Sequence, residues 1–151
     1  MFRSGSERPL QAFLEALDEG GETRFFSPHA SDIDTLTTLA TRPHRDIHCL
    51  LVEDSLVVGY GLLRGWDEGF AIPSLGIAIH PLRRGRGLGN FMMEYLELLA
   101  QLRGSASVRL RVLKVNAVAI ALYTTRGYEW QADPSDESLL IGLKHLIVRE
   151  A

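Results

Sequence analysis

Residues Leu75–Asn90 read LGIAIHPLRRGRGLGN: a short apolar strand, a proline, three arginines interleaved with three glycines, and the start of a long helix. That order suits a phosphorylated ligand. Glycines let a backbone approach closely, and the first N–H groups of a helix, which lack partners inside it, point at an anion with the helix dipole behind them.

The flanking chain reads as the frame of such a cradle. On the N-terminal side, Leu10, Phe13, Leu14 and Leu17 recur at helical spacing within Arg8–Glu19, and Gly20-Gly21 stops that helix. Thr23–Phe26 is expected as a short strand, and Ser31 or Asp32 as the cap of a helix running to about Thr41. Ile47–Glu53 and Leu56–Arg64 are β-rich runs parted by Asp54-Ser55, the pattern of a hairpin with a tight turn. Ala71–His80 is the next strand, closed by Pro81.

Beyond the cradle, Leu88, Phe91, Met92, Tyr95, Leu96, Leu99 and Leu102 are expected to form the core face of a helix ending near Gly104. Ser107–Lys114 alternates apolar Val108, Leu110 and Val112 with Arg109 and Arg111, as a strand with one covered face does. Asn116 caps a helix Ala117–Arg126, and Tyr128–Gln131 and Leu139–Val148 are the last strands. The last of these is apolar enough either to pair with a second copy or to be covered. No repeat or linker divides the chain, so we expect one α/β (α+β) domain over 1–151, with helices on both faces of a mixed sheet.

Composition sets the outer limits. Nineteen acidic and sixteen basic residues leave a net charge of -3, which argues against a general nucleic-acid binder. No apolar run reaches the ~20 residues of a membrane span, and MFRSGSERPLQAF lacks the apolar core of a signal peptide, so a cytoplasmic protein is expected. The one cysteine, Cys49, excludes an internal disulfide or multi-cysteine zinc site; it lies in IHCLLV and reads as a buried small hydrophobe, and no metal is expected.

Two phosphate-binding patterns fail at named residues. A triphosphate loop needs GxxxxGK before Ser or Thr, and no lysine occurs between Arg83 and Gly104. A dinucleotide fingerprint beginning at Gly85 needs glycine where Asn90 stands and an acidic residue about 20 positions on, near Arg109 and Arg111. The pattern [Q/R]xxGx[G/A] is satisfied by Arg84-Gly85-Arg86-Gly87-Leu88-Gly89, and it resembles the acyl-CoA loop of the Gcn5-related N-acetyltransferase (GNAT) superfamily. Asn116–Tyr128, NAVAIALYTTRGY, is similar to that superfamily's second signature, NxxAxxLYxxxGF. The separation, roughly 30 residues, is what one helix and one strand require.

The resemblance implies a mostly antiparallel sheet splayed where acetyl-CoA binds. It implies that the pantetheine arm pairs with backbone around Ile77, Ala78 and Ile79, and that the pyrophosphate rests on Arg84, Gly85, Arg86, Gly87, Leu88, Gly89 and Asn90. Asn116 would hydrogen-bond the pantetheine arm, cap its helix, or both. Tyr123 would be the general acid that protonates the departing thiolate.

A base is harder to find. Many relatives carry a glutamate on or beside the strand before the loop, whereas Ile72–His80 holds no carboxylate. The options are direct attack by a neutral amine, or proton removal through water ordered by His29, Glu68 or Ser74. Phe25-Phe26-Ser27-Pro28-His29 resembles a segment of superfamily members acting on nucleotide-linked amino sugars, which would turn His29 toward the acceptor. Most relatives place two helices between their first two strands; Ser31–Arg45 leaves room for one, so an open acceptor site is expected, partly covered by the extra helix Arg8–Glu19. The expected activity is acetyl transfer to a primary amine of a small molecule, an amino sugar among the candidates, by a monomer or homodimer. Acetylation of a protein N-terminus or lysine, and a non-catalytic acyl-CoA-binding module, are the alternatives.

Overall fold

A computed structural model describes residues 1–147. The elements follow as helices α1 (Glu7–Glu19) and α2 (Ile33–Thr41), strands β1 (Ile47–Glu53), β2 (Leu56–Arg64) and β3 (Ser74–Ile79), helix α3 (Leu88–Leu102), strand β4 (Ser107–Leu113), helix α4 (Ala117–Thr125), and strands β5 (Glu129–Ala132) and β6 (Leu139–His145). A 3₁₀ turn, Pro81–Arg83, joins β3 to the glycine-rich loop. The strands form one six-stranded sheet in the order β1-β2-β3-β4-β6-β5. Every neighbouring pair is antiparallel except β3 and β4, which are parallel.

Local chemistry accounts for the boundaries. Asp32 caps α2 by accepting from the Thr35 N–H at 2.8 Å. Asp54 and Ser55 both take positive φ, 49° and 65°, the backbone that a two-residue hairpin turn needs to match strand twist. Each face of the sheet then buries its own core. Leu10, Phe13, Leu14, Leu17 and Leu36 of the first two helices pack on Tyr60, Leu62 and Ala78. On the opposite face Met92, Met93, Leu96 and Ala100 of α3 pack on Leu63, Leu75, Val108, Leu110 and Val112, with Tyr123 of α4 beside them.

Three expectations are corrected, and one open alternative is decided. Thr23–Phe26 forms no strand: the Glu22 carbonyl accepts from the N–H groups of both Phe25 and Phe26, closing a turn directly after Gly20-Gly21. With no strand there, α1 and α2 are consecutive, so two helices rather than one stand on the face where the acceptor wall was expected. The core stripe of α3 is displaced: Phe91, Tyr95 and Leu102 are 55%, 39% and 75% exposed, while Met93 and Glu97 turn inward. Gly61 sets that orientation, because α3 approaches so closely that a Cβ there would meet Met92 Sδ at 2.8 Å. Finally, β6 lies between β4 and β5, so it is no edge for pairing with a second copy; Val148, expected in that strand, lies outside the described residues.

Candidate active site

The parallel pair β3 and β4 is the hinge of the site. The two strands share a single registered pair, Ser74 with Arg109, and the Arg109 N–H donates to the Pro73 carbonyl at 3.0 Å. Past that point they diverge, toward the loop on one side and Asn116 on the other. On its far edge β3 bonds β2 through alternate residues, with the His80 N–H on the Val58 carbonyl at 2.8 Å. By the two-residue period of a strand, Ala78 turns its amide to β2 as well, and Ile77 and Ile79 turn theirs into the gap.

That gap widens into a cavity of about 540 Å³. Ile77, Ala78 and Ile79 line one wall, Val112, Asn116 and Tyr123 another, and Gly85, Gly87, Leu88 and Gly89 the mouth. Gly85 and Gly87 have φ of +75° and +79°, a backbone that side chains with a Cβ rarely adopt, and open space stands where a Cβ would be. No N–H from Gly85 to Asn90 has an acceptor among the described residues. A row of free donors at the start of a 15-residue helix fits a diphosphate, and two opposed strand edges with unpaired amides fit a linear chain of amides. The shape and donor set therefore suit coenzyme A.

The arginines of the loop are all held by carboxylates. Arg83 and Arg86 share Glu53, at 3.3 and 3.0 Å, and Arg84 meets Glu22 at 3.0 Å. The Arg86 hydrogen bond holds the Glu53 carboxyl below its usual range. Arg83 and Arg84 line the cavity; the Arg86 side chain turns away to Glu53. Asn90 faces α4 instead, where its Oδ1 accepts from Arg126 at 2.7 Å. Asn116 caps α4, accepting from the Ala119 N–H at 3.2 Å, and lines the cavity as well.

Tyr123 is 8% exposed, and burial pushes its phenol up to about 12. It stays protonated at neutral pH, and its hydroxyl makes no hydrogen bond among the described residues. A phenol in that state is equipped to donate its proton into the cavity.

The three candidates for handling the acceptor's proton lie outside the cavity lining. Glu68 is exposed on the loop between β2 and β3, and Ser74 opens β3. His29 is one layer back, behind Phe26, a cavity residue whose ring meets Tyr60 edge-on at 5.9 Å. Its Nδ1 lies 2.8 Å from the Ala30 carbonyl, which can only accept, so Nδ1 carries the proton and Nε2 accepts from the Tyr60 hydroxyl at 2.7 Å. Tyr60 in turn accepts from His48 Nδ1 at 2.8 Å. Burial lowers the pKa of His29; burial and the nearby His44 and His29 lower that of His48, to about 4. Both rings are neutral at pH 7.

Sequence reasoning missed two groups. Tyr60 and His48 sit inside apolar β-runs, where their pairing depends on strand register that no local pattern encodes. Glu97 is 6% exposed within α3 and binds Arg126 at 2.7 Å, Lys144 at 2.8 Å and the Tyr128 hydroxyl at 3.2 Å. Burial alone would raise its pKa, but the hydrogen bonds from Arg126 and Lys144 outweigh that and hold it low. A charged residue between Leu96 and Leu98 was the available signal. Through Arg126 the cluster ties Asn90 of the first motif to the helix of the second.

Comparison with known proteins agrees with this geometry. Streptothricin acetyltransferase of Streptomyces lavendulae is 28% identical over 111 residues, 74% of this chain and 53% of that protein, so the chain spans about half the length of this curated relative. The PaiA N-acetyltransferase of Thermoplasma acidophilum, solved in complex with coenzyme A, superposes with a TM-score of 0.77 at 16% identity, covering 93% of this chain and 92% of that one. A ribosomal-protein-alanine N-acetyltransferase from Brucella melitensis gives 0.76 at 19% identity, covering 93% and 94%. The sequence model of the Acetyltransferase (GNAT) family matches residues 11–128. The chain belongs to the acetyltransferase (GNAT) family, whose acyl donor is acetyl-CoA.

Proposed function

We propose that the protein is an acetyl-CoA-dependent N-acetyltransferase acting on the primary amine of a small molecule, with amino sugars among the candidate acceptors. The observation that carries this reading is the single continuous cavity that joins the free N–H groups of the Gly85–Gly89 loop, the open edge at Ile77 and Ile79, and the Tyr123 phenol. The similarity to a streptothricin acetyltransferase supports a small-molecule amine over a protein one.

Acetyl-CoA supplies the acetyl thioester. The chain's part begins with the loop N–H groups, which hold the diphosphate and fix the length of arm reaching into the splay. Arg84, paired with the cavity residue Glu22, is placed to exchange that carboxylate for phosphate. The strand edge orients the carbonyl, so that the amine forms its C–N bond as the C–S bond breaks. Tyr123 gives its proton to the sulfur as it leaves, a step worth about 10²–10⁴-fold. The proton released by the amine passes to water, because both ring nitrogens of His29 are committed, one to the Ala30 carbonyl and the other to the Tyr60 hydroxyl. Burial, and to a lesser extent the positive charge of Arg64, lowers the pKa of His29.

Mass spectrometry of reaction products separates the readings. Wild-type protein incubated with acetyl-CoA and a panel of amino sugars, polyamines, amino acids and peptides should acetylate small amines and leave the peptides unchanged. Acetylated peptides alone would favour a protein acetyltransferase. Tight acetyl-CoA binding with no product from any amine would favour a binding module.

A further inference from the structure

Strand register lines up Arg64 of β2, Ser74 of β3 and Arg109 of β4 in one row across the sheet. Residues paired in this way project to the same face. That face is the one carrying α1 and α2, because a Cβ on Gly76, two residues along from Ser74, would meet Phe26 and Leu62. The row crosses β3 and β4 at their last shared pair, at the inner end of the splay. Across two strand spacings, the Arg64 and Arg109 backbones stand roughly 10 Å apart with the serine hydroxyl between them.

Arg64 and Arg109, with Arg3, Arg8, Arg24, Arg42, Arg45 and Arg103, are the arginines that meet no carboxylate among the described residues. Arg83, Arg84, Arg86, Arg111 and Arg126 all meet carboxylates within 3.3 Å. Neither Arg64 nor Arg109 has an ion-pair partner among the described residues. Arg64 is held only by the Pro28 carbonyl, at 2.8 Å, beside His29. Arg109 Nε is buried with no hydrogen-bond partner at all, alone among the buried side-chain polar atoms of the described residues. An unsatisfied charged donor is costly, and an anion bound by the remaining N–H groups of the guanidinium would offset part of that cost.

We propose that the acceptor amine carries an anionic oxygen group, a carboxylate or a phosphate, and that Arg64 and Arg109 clamp it across Ser74. This rests on the acetyltransferase reading and narrows the acceptor class. The phosphates of acetyl-CoA belong to the glycine-rich loop, while Arg64, Ser74 and Arg109 stand outside the cavity lining, so the clamp is free for the second substrate. Arg111, neutralised by Asp133 at 2.7 Å, takes no part in it.

Matched acceptors test the inference: glucosamine 6-phosphate against glucosamine, and β-alanine against its amide, with kcat/KM measured by thiol release. The wild type should prefer at least one anionic member by roughly 10–100-fold, the value of one or two charged hydrogen bonds, and the pair that responds identifies phosphate or carboxylate. Arg109→Gln and Arg64→Gln should raise KM for the anionic member and erase that preference. Arg109→Gln should leave the neutral member and the acetyl-CoA Kd unchanged. Arg109→Gln should also melt no lower than wild type, since it removes an unsatisfied buried charge. Equal kcat/KM within both pairs, or equal losses on charged and neutral members in both variants, would overturn the clamp. If no amine releases thiol, the acetyltransferase reading fails, and calorimetry decides the clamp by itself. Arginine-dependent binding of the anionic amines supports it, and no binding refutes it.

Discussion

Tyr123 combines three properties that chemistry at a thioester requires: it lines the cavity, it is protonated, and its hydroxyl is uncommitted. Tyr123→Phe removes the proton and little else, since the ring keeps its packing against Tyr128 and Trp130, with centroids 5.9 and 6.3 Å away. Turnover should fall by about 10²–10⁴-fold while acetyl-CoA Kd, read by calorimetry, stays within about twofold. Glu97 makes a different kind of prediction. It holds two cations and a phenol in a nearly closed pocket, so Glu97→Ala leaves Arg126 and Lys144 without their anion; a loss of about 3–5 kcal/mol in urea denaturation is expected. His48 sets the acid side of the stability profile. Its folded pKa of about 4 lies below the unfolded 6.5, so the unfolded chain binds more protons between those values. Stability from this residue is therefore complete above pH 6.5 and falls by about 3 kcal/mol as pH drops to 4. Equilibrium unfolding of wild type and His48→Gln across that range measures it, and the variant should show a flatter slope.

At the scale of elements, the decisive feature is a loop that keeps its donors free. Gly87→Glu puts a side chain on a residue at φ +79° and a carboxylate where a diphosphate would lie. About 3 kcal/mol, or roughly 10²-fold in acetyl-CoA affinity, should be lost, and calorimetry with acetyl-CoA reads it. Helix α3 depends on glycine in another way. Gly61→Val would drive its side chain into Met92 and Leu96, and a destabilisation of about 1–3 kcal/mol is expected in thermal melts. These elements also show what a sequence carries. The glycine-rich loop, the Asp54-Ser55 turn and the alternation of Val108, Leu110 and Val112 are local signals, and each stands in the structure where its residues placed it. The α3 stripe was misread because the helix is apolar on two sides, Phe91 and Tyr95 as well as Met92 and Met93, and only contact with Gly61 chooses between them. Thr23–Phe26 has the residues of a strand, but a turn closing on Glu22 satisfied its N–H groups first.

For the molecule as a whole, asymmetry between the two sheet faces organises the chemistry. One face is sealed by α3 and α4. The other carries the α1 and α2 core only as far as β3, to Ala78, so Arg109 and Arg111 of β4 face a region those helices leave uncovered. In the proposed reading, donor and acceptor meet the splay from different sides, the loop side and the α1/α2 side. The loop half of that plan was legible because its two motifs are contiguous in sequence. The other half was not, because Arg64, Ser74 and Arg109 come together only through register across three strands, and His29, Tyr60 and His48 through a turn folded against two of them.

In the proposed function this cavity delivers an acetyl group from acetyl-CoA to an amine, with Tyr123 as proton donor. Thiol release from acetyl-CoA, followed with and without small amines for wild type and Tyr123→Phe, addresses it directly. Release should depend on the amine and fall by about 10²–10⁴-fold in the variant. Release that ignores the amine, or equal rates for both proteins, would contradict it.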